Sequence, residues 1–151
     1  MSAGSIKLDS MLCFAIYATG HAFTRFYKPR LEALGLTYPQ YLVLIVLWER
    51  DDITVNALGS RLFLDSGTIT PLVKRLEARG LVSRKRDEDD ERQVRIRLTP
   101  EGRALQAKAL AVPLGIAGGT GLTRSDIDRL RTELLALRDR LDGQSEQSKP
   151  G

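Results

Sequence analysis

Residues 64–102 read LDSGTITPLVKRLEARGLVSRKRDEDDERQVRIRLTPEG, and three patterns follow one another within them. From Asp65 to Arg79, apolar residues recur at helical spacing, with Ile69, Leu72, Val73 and Leu76 forming one stripe. Asp65 or Ser66 is placed to cap the start of this helix, and Gly80 to close it. LVSRKR (81–86) and VRIRLT (94–99) alternate apolar and basic residues at period two, the pattern of half-buried strands. The polar, acidic stretch 87–93 joins them as a hairpin tip. Thr99 then caps another helix, with Pro100 behind it.

A shorter helical segment, Thr54 to Leu62, precedes this run. Two short helices followed by a two-stranded hairpin with a long tip give the order of a winged helix-turn-helix. The expected fold class is therefore mainly α with a small β-hairpin wing. In the second helix, small polar residues fill the first two turns, as suits an end that approaches base edges without bulk. The DNA-contacting set expected from this helix is Asp65, Ser66, Gly67, Thr68, Thr70, Lys74 and Arg75. Pro71 lies inside the helix, where its ring crowds the carbonyl of Gly67, so a local bend is expected. Arg84 and Arg92 extend the set to the hairpin. An arginine on an extended tip suits the minor groove, whose narrow A·T stretches concentrate negative potential. Neighbouring acids repel phosphate, so one of them, Asp90, is expected to support the wing by orienting Arg92.

The termini carry more apolar surface than a monomer uses. From Leu8 to Tyr27 the pattern is helical, and its apolar residues cover well over half the wheel, against the roughly 100° stripe of an ordinary surface helix. TRSDIDRLRTELLALRDRLDG (123–143) opens with Thr123 and Asp126 in capping-box spacing and ends at Gly143. Its Ile127, Leu130, Leu134, Leu137 and Leu141 alternate steps of three and four, the seam of a helix pair. A homodimer built on N- and C-terminal helices is the simplest way to cover both. Between them, LTYPQYLVLIVLWER (36–50) reads as a buried helix with Pro39 at its first position, and GIAGGTG (115–121) as a flexible break. One domain over 1–151 is expected. It divides into a dimerisation and sensor region (6–36), a DNA-binding region (37–99), C-terminal dimerisation helices (100–142) and a disordered tail (143–151).

Charge agrees with a nucleic-acid partner. Residues 54–99 hold ten Lys/Arg against seven Asp/Glu, and five of those acids are the block DEDDE at 87–91, so the rest of the stretch is strongly basic. No hydrophobic run approaches the ~20 residues of a membrane span, and no signal peptide opens the chain. Cys13 is the only cysteine, which excludes an internal disulfide and suits a reducing, cytoplasmic setting. One cysteine and one histidine, His21, leave a metal short of ligands, and no cofactor motif is present.

Cys13 by itself reads as apolar filler, the common fate of a free cysteine. The helical pattern puts it mid-helix, where the dipole gives the thiolate little help. Phenols can help instead, because a hydroxyl donating to sulfur favours the charged form. All four tyrosines, Tyr17, Tyr27, Tyr38 and Tyr41, fall within 25 positions. They fit a thiolate site, or equally the lining of a dimer seam.

The stretch 64–102, with the Asp-x-Arg of its wing and the Thr-Pro-Glu-Gly after it, resembles the core of the MarR (multiple-antibiotic-resistance regulator) family, and the resemblance runs over residues 8–142. That family implies dimeric winged-helix DNA binders, mostly repressors, bound to pseudo-palindromic double-stranded operators. LCFAIYATGHAFTRFYKPRLEALGLTYPQYLVLIVLWE (12–49) is similar to the organic hydroperoxide resistance regulators (OhrR) within it. The resemblance implies that Cys13 is the redox sensor, that Tyr27 and Tyr38 contact its thiolate, and that Tyr17 lies nearby. Phe14, Ile16 and Phe23 then line a peroxide pocket. Having no second cysteine, the chain falls in the single-cysteine class; its oxidised thiol then meets a low-molecular-weight thiol, cyclises with a backbone nitrogen or over-oxidises, and a mixed disulfide with a small thiol is the preferred reading.

Two other functions remain open at this stage. A MarR-type repressor could respond to a reversibly bound aromatic ligand. A thiol peroxidase would be an enzyme, but a lone thiol outside a Pro-x-x-x-Thr-x-x-Cys context does not turn over, so no enzyme is expected.

Overall fold

The computed structural model describes residues 4–147, except the side chains of 114–117. Ten elements follow a short 3₁₀ turn at Leu8–Ser10. They are α1 (Leu12–Glu32), α2 (Tyr38–Glu49), β1 (Ile53–Thr54), α3 (Val55–Leu62), α4 (Ser66–Ala78), β2 (Val82–Arg86), β3 (Val94–Leu98), α5 (Pro100–Ala109), α6 (Ala111–Thr120) and α7 (Arg124–Gln147). The chain forms two compact units, one through Val112 and one from Pro113.

In the first unit, α2 to β3 make the winged helix-turn-helix. α2 begins with a complete capping box. Thr37 Oγ1 accepts from the Gln40 amide at 3.4 Å, and the Gln40 side chain accepts from the Thr37 amide at 3.1 Å. Thr54 and Asp65 cap α3 and α4 with a single accepted bond each, at 3.1 and 2.8 Å. The turn between α3 and α4 closes with Phe63 in the left-handed region (φ 57°). Gly59 permits it, since a Cβ there would lie 2.6 Å from the Leu64 carbonyl. Leu31, Leu44, Leu47, Leu58, Ile69, Leu76 and Ile96 are fully buried, so one core joins α1, α2, α3, α4 and β3.

The wing is a three-stranded antiparallel sheet in the order β1-β3-β2. Ile53 pairs with Ile96, and Val82, Arg84 and Arg86 pair with Leu98, Ile96 and Val94. The two-residue β1 carries no period-two signal of its own, which is why the sequence reading gave only the hairpin.

In the second unit, α7 opens on the expected capping box: Thr123 Oγ1 accepts from the Asp126 amide at 3.1 Å, and Asp126 Oδ2 accepts from the Thr123 amide at 3.3 Å. No residue of α7 is buried, and Leu130, Leu134 and Leu141 of its apolar seam stand exposed. α1 likewise buries only Leu31 and leaves Leu12, Ile16 and Phe23 open.

Several expectations are corrected. The first helix starts at Leu12, not Leu8, because Ser10 turns back to donate to the Lys7 carbonyl at 2.8 Å, closing a separate turn. It runs to Glu32, through Pro29. Pro39 takes the second position of α2, behind Tyr38. The glycine-rich 115–121 is helical up to Thr120, and the break falls at Gly121 (φ 67°); each helical glycine costs only about 1 kcal/mol against alanine, too little to stop a helix already running. α7 passes through Gly143 to Gln147, with Ser145 Oγ donating to the Leu141 carbonyl at 3.2 Å, so 143–147 is helix, not a disordered tail. Residues 148–151 lie outside the described residues.

Candidate functional site

Two sets of residues stand apart on the first unit. On α4, Ile69, Leu72, Val73 and Leu76 face inward, which turns the opposite face to solvent. Ser66, Gly67, Thr68, Lys74 and Arg75 are exposed there, and Thr70 is half-buried. Lys74 and Arg75 form no ion pair among the described residues, so their charge is available to phosphate. Asp65 has a different part: its carboxylate accepts from the Thr68 amide and fixes where the helix starts. A side chain at Gly67 would press on that cap, its Cβ lying 3.3 Å from Asp65 Oδ1.

On the wing, Arg92 is held in a fork. Its Nε donates to Asp90 Oδ1 at 3.0 Å and its Nη2 to Asp90 Oδ2 at 3.2 Å, while its side chain remains 91% exposed. The Arg92 side chain, and secondly the Arg92 amide, hold the Asp90 carboxyl below the usual range. Arg84 is not free in this way: its Nε donates to Glu77 Oε1 at 3.1 Å, tying β2 to α4. Arg86 donates to the Glu91 carbonyl at 3.1 Å, and Lys85 pairs with Glu88. Arg95 reaches both Asp52 and Asp87, and these bonds depress both carboxyls. Of the wing's acids, Asp87 and Asp90 are thus bonded to arginines and Glu88 to a lysine, while the Arg92 side chain stays open to solvent.

The second set lies on α1 and α2. Cys13 is exposed and is the second residue of α1, not a mid-helix one. Because the first intrahelical bond runs from the Ala15 amide to the Met11 carbonyl, the amides of Leu12, Cys13 and Phe14 have no intrahelical acceptor. Tyr17, one turn on, stacks edge-on against His21 with ring centroids 4.4 Å apart. Phe14 is half-buried, and Ile16 and Phe23 are exposed on the same helix. A groove of about 540 Å³ lies elsewhere, between α3 and the start of α4, bordered by Asn56, Ser60 and Phe63.

Tyr27 and Tyr38 are brought together, with centroids 4.8 Å apart, and Tyr41 stands 6.0 Å from Tyr27. Burial, then the neighbouring Tyr38 and Tyr41, push the Tyr27 phenol up to about 12, and burial raises Tyr38 and Tyr41 as well. All three therefore remain proton donors at neutral pH. Cys13 is not brought to this cluster within the chain. Fourteen steps along α1 separate it from Tyr27, about 21 Å at 1.5 Å per residue.

The sequence reading missed two features. One is the continuation of the aromatic cluster through Tyr41 to Trp48 (6.4 Å), whose Nε1 donates to the Gly102 carbonyl at 2.9 Å and so ties α2 to α5. The other is the pairing of Asp51 and Asp52 with Arg103, Arg95 and Arg97. Two adjacent acids before an arginine-alternating strand were the available signal, but partners more than 40 positions apart cannot be matched without the fold.

The family described as "Transcriptional regulator SarA/Rot" matches residues 25–108. The chain is 55% identical over 135 residues to the HTH-type transcriptional regulator TtmR of Methylorubrum extorquens, covering 89% of this chain and 69% of that protein. It is 46% identical over 136 residues to the organic hydroperoxide resistance transcriptional regulator of Bacillus subtilis, covering 90% and 92%. Among solved structures, reduced AbfR bound to DNA superposes with a TM-score of 0.77 at 37% identity, over 91% of this chain and 94% of that one; AbfR comes from Staphylococcus epidermidis. The relatives are regulators and not enzymes. With the winged helix in place and these identities spread over nearly the whole chain, the protein belongs to the MarR/SarA class of winged-helix transcriptional regulators, on the branch that contains the organic hydroperoxide resistance regulators.

Proposed function

We propose that this regulator is a homodimeric repressor that binds a pseudo-palindromic operator and releases it when an organic hydroperoxide oxidises Cys13. The observation that carries the reading is the position of Cys13: exposed, in the first turn of α1, beside apolar Leu12 and Ile16 and one turn from Tyr17. Unpaired amides and the positive end of the helix dipole favour an anion there. The phenols of Tyr27 and Tyr38, kept protonated by burial, supply donors from the partner subunit. Exposed apolar residues along α1 and α7 supply the surface such a dimer buries.

The chemistry is a displacement. The thiolate attacks the terminal oxygen of ROOH, an S–O bond forms, the O–O bond breaks, and the alkoxide leaves and takes a proton to give ROH. Cys13 becomes a sulfenic acid. A small thiol then displaces water from it, giving a mixed disulfide. Apolar neighbours favour alkyl over hydrogen peroxide, since each buried CH₂ gains about 0.8 kcal/mol. A bulky adduct that costs the DNA-competent dimer ~3 kcal/mol lowers operator affinity by roughly two orders of magnitude. The DNA side rests on α4 in the major groove and Arg92 in the minor groove.

Cys13→Ser tests the reading. The variant should bind an in vitro-selected duplex as wild type does, yet stay bound when cumene hydroperoxide and cysteine are added. Intact mass of the treated wild type should rise by one cysteine adduct. Release of the variant by peroxide, or release of the wild type with unchanged mass, would favour a reversibly bound ligand instead.

A further inference from the structure

The exposed side chain of Arg92 is the end of an unbroken hydrogen-bonded chain that begins in the body of the domain. Asp52, between α2 and β1, takes the left-handed conformation (φ 58°) although it is not glycine. From there it holds Arg95 twice, with Oδ1 accepting from Nε at 2.7 Å and its main-chain carbonyl accepting from Nη2 at 2.7 Å. Arg95 Nη1 donates onward to Asp87 Oδ2 at 3.0 Å. Asp87 Oδ1 accepts the amides of Asp89 (2.8 Å) and Asp90 (3.2 Å), folding the wing tip into a turn. Asp90 Oδ1 accepts the Arg92 amide at 3.1 Å, and its carboxylate grips the Arg92 guanidinium.

We propose that Arg95 is a positioning residue for the wing, transmitting the orientation of Asp52 through Asp87 and Asp90 to Arg92. The role fits its place on β3, the central strand, opposite both Thr54 and Lys85. It also fits its chemistry, since a guanidinium spans two carboxylates in a fixed plane and an ammonium does not. Asp52 Oδ2 also holds Arg97 at 3.0 Å, which steadies the anchor. Without Arg95, the Asp87 carboxylate is left uncompensated and the turn it organises is released. The inference rests on Arg92 reading the minor groove, and the experiment separates the two.

The test uses full-length protein and an in vitro-selected duplex, compared with the same duplex carrying G·C in place of the A·T pairs under the wing. Wild type is expected to prefer the first by about tenfold, within the usual cost of a wrong base pair. Arg92→Ala should abolish that preference. Arg95→Gln and Asp52→Asn should each abolish most of it, and either one added to Arg92→Ala should change affinity by less than about twofold. Asp52→Asn makes the protein more positive, so general attraction to phosphate alone would tighten its binding, the opposite of what positioning demands. Arg95→Lys, which keeps the charge and loses the fork, should behave like Arg95→Gln, and thermal unfolding confirms that each variant is folded. Preserved preference in the Arg95 and Asp52 variants, or losses that add to that of Arg92→Ala, would overturn the positioning role alone. A preference that survives Arg92→Ala would overturn the minor-groove reading, and the positioning role with it.

Discussion

Cys13 and Tyr27 stand on one continuous helix, about 21 Å apart along its axis, while Tyr27 and Tyr38 touch across two helices. A thiolate site made of all three therefore needs Cys13 of one protomer and the phenols of the other. Mixed dimers test this. A Cys13→Ser protomer paired with a Tyr27→Phe protomer should regain one site that reacts with cumene hydroperoxide at the wild-type rate, because the intact cysteine then faces the intact tyrosine. The Tyr27→Phe homodimer should react about ten- to a hundredfold more slowly, the value of a hydrogen bond to a charged group. A mixed dimer no faster than that homodimer would place the site within one chain.

The Tyr27 phenol should ionise well above the ordinary range in an alkaline titration followed by ultraviolet absorbance and compared with Tyr27→Phe. Its ordinary value is near 10 and the fold raises it to about 12. A raised value means its contribution to stability is complete below pH 10 and is lost as pH climbs toward 12. Tyr27→Phe should flatten the fall in thermal stability over that window.

Acid acts on the other side of the domain. The carboxyls of Asp52, Asp87 and Asp90 are depressed, chiefly by the side chains of Arg95, Arg95 and Arg92 respectively. Depressed values contribute stability above the unfolded value, near 3.9, and lose it as pH falls through the folded ones. The melting temperature should therefore drop below pH about 4, and Asp52→Asn should make that drop shallower.

Salt dependence of binding sorts the basic residues. Lys74→Ala and Arg75→Ala, on the open face of α4, should each reduce the slope of log affinity against log salt by about 1. Arg84→Ala should change the slope little, because that guanidinium is already paired with Glu77.

Two local devices should show in denaturant unfolding. Asp65→Ala removes the α4 cap and should cost about 1 kcal/mol. Gly102→Ala drives a methyl into the Leu81 carbonyl and should cost roughly 1–3 kcal/mol, as overpacking does.

What the sequence determined by itself was whatever repeats at short range. The stripe of Ile69, Leu72, Val73 and Leu76, the caps at Thr99 and Thr123, and the alternation of 81–86 and 94–99 each depend on neighbours a few positions away, and all are in the structure. The tertiary structure alone decided what depends on distant pairs or on competition between local choices. Ser10 closing its own turn moved Cys13 from mid-helix to a helix start, since a side chain bonding back to its backbone outweighs a continuing apolar period. Arg95 meeting Asp52 across 43 positions, and Tyr27 meeting Tyr38 across a loop, follow from the packing of elements whose order the sequence gives but whose register it does not. Hydrophobic patterning chooses which faces are buried, and only the closed core fixes which polar groups then come within reach of one another.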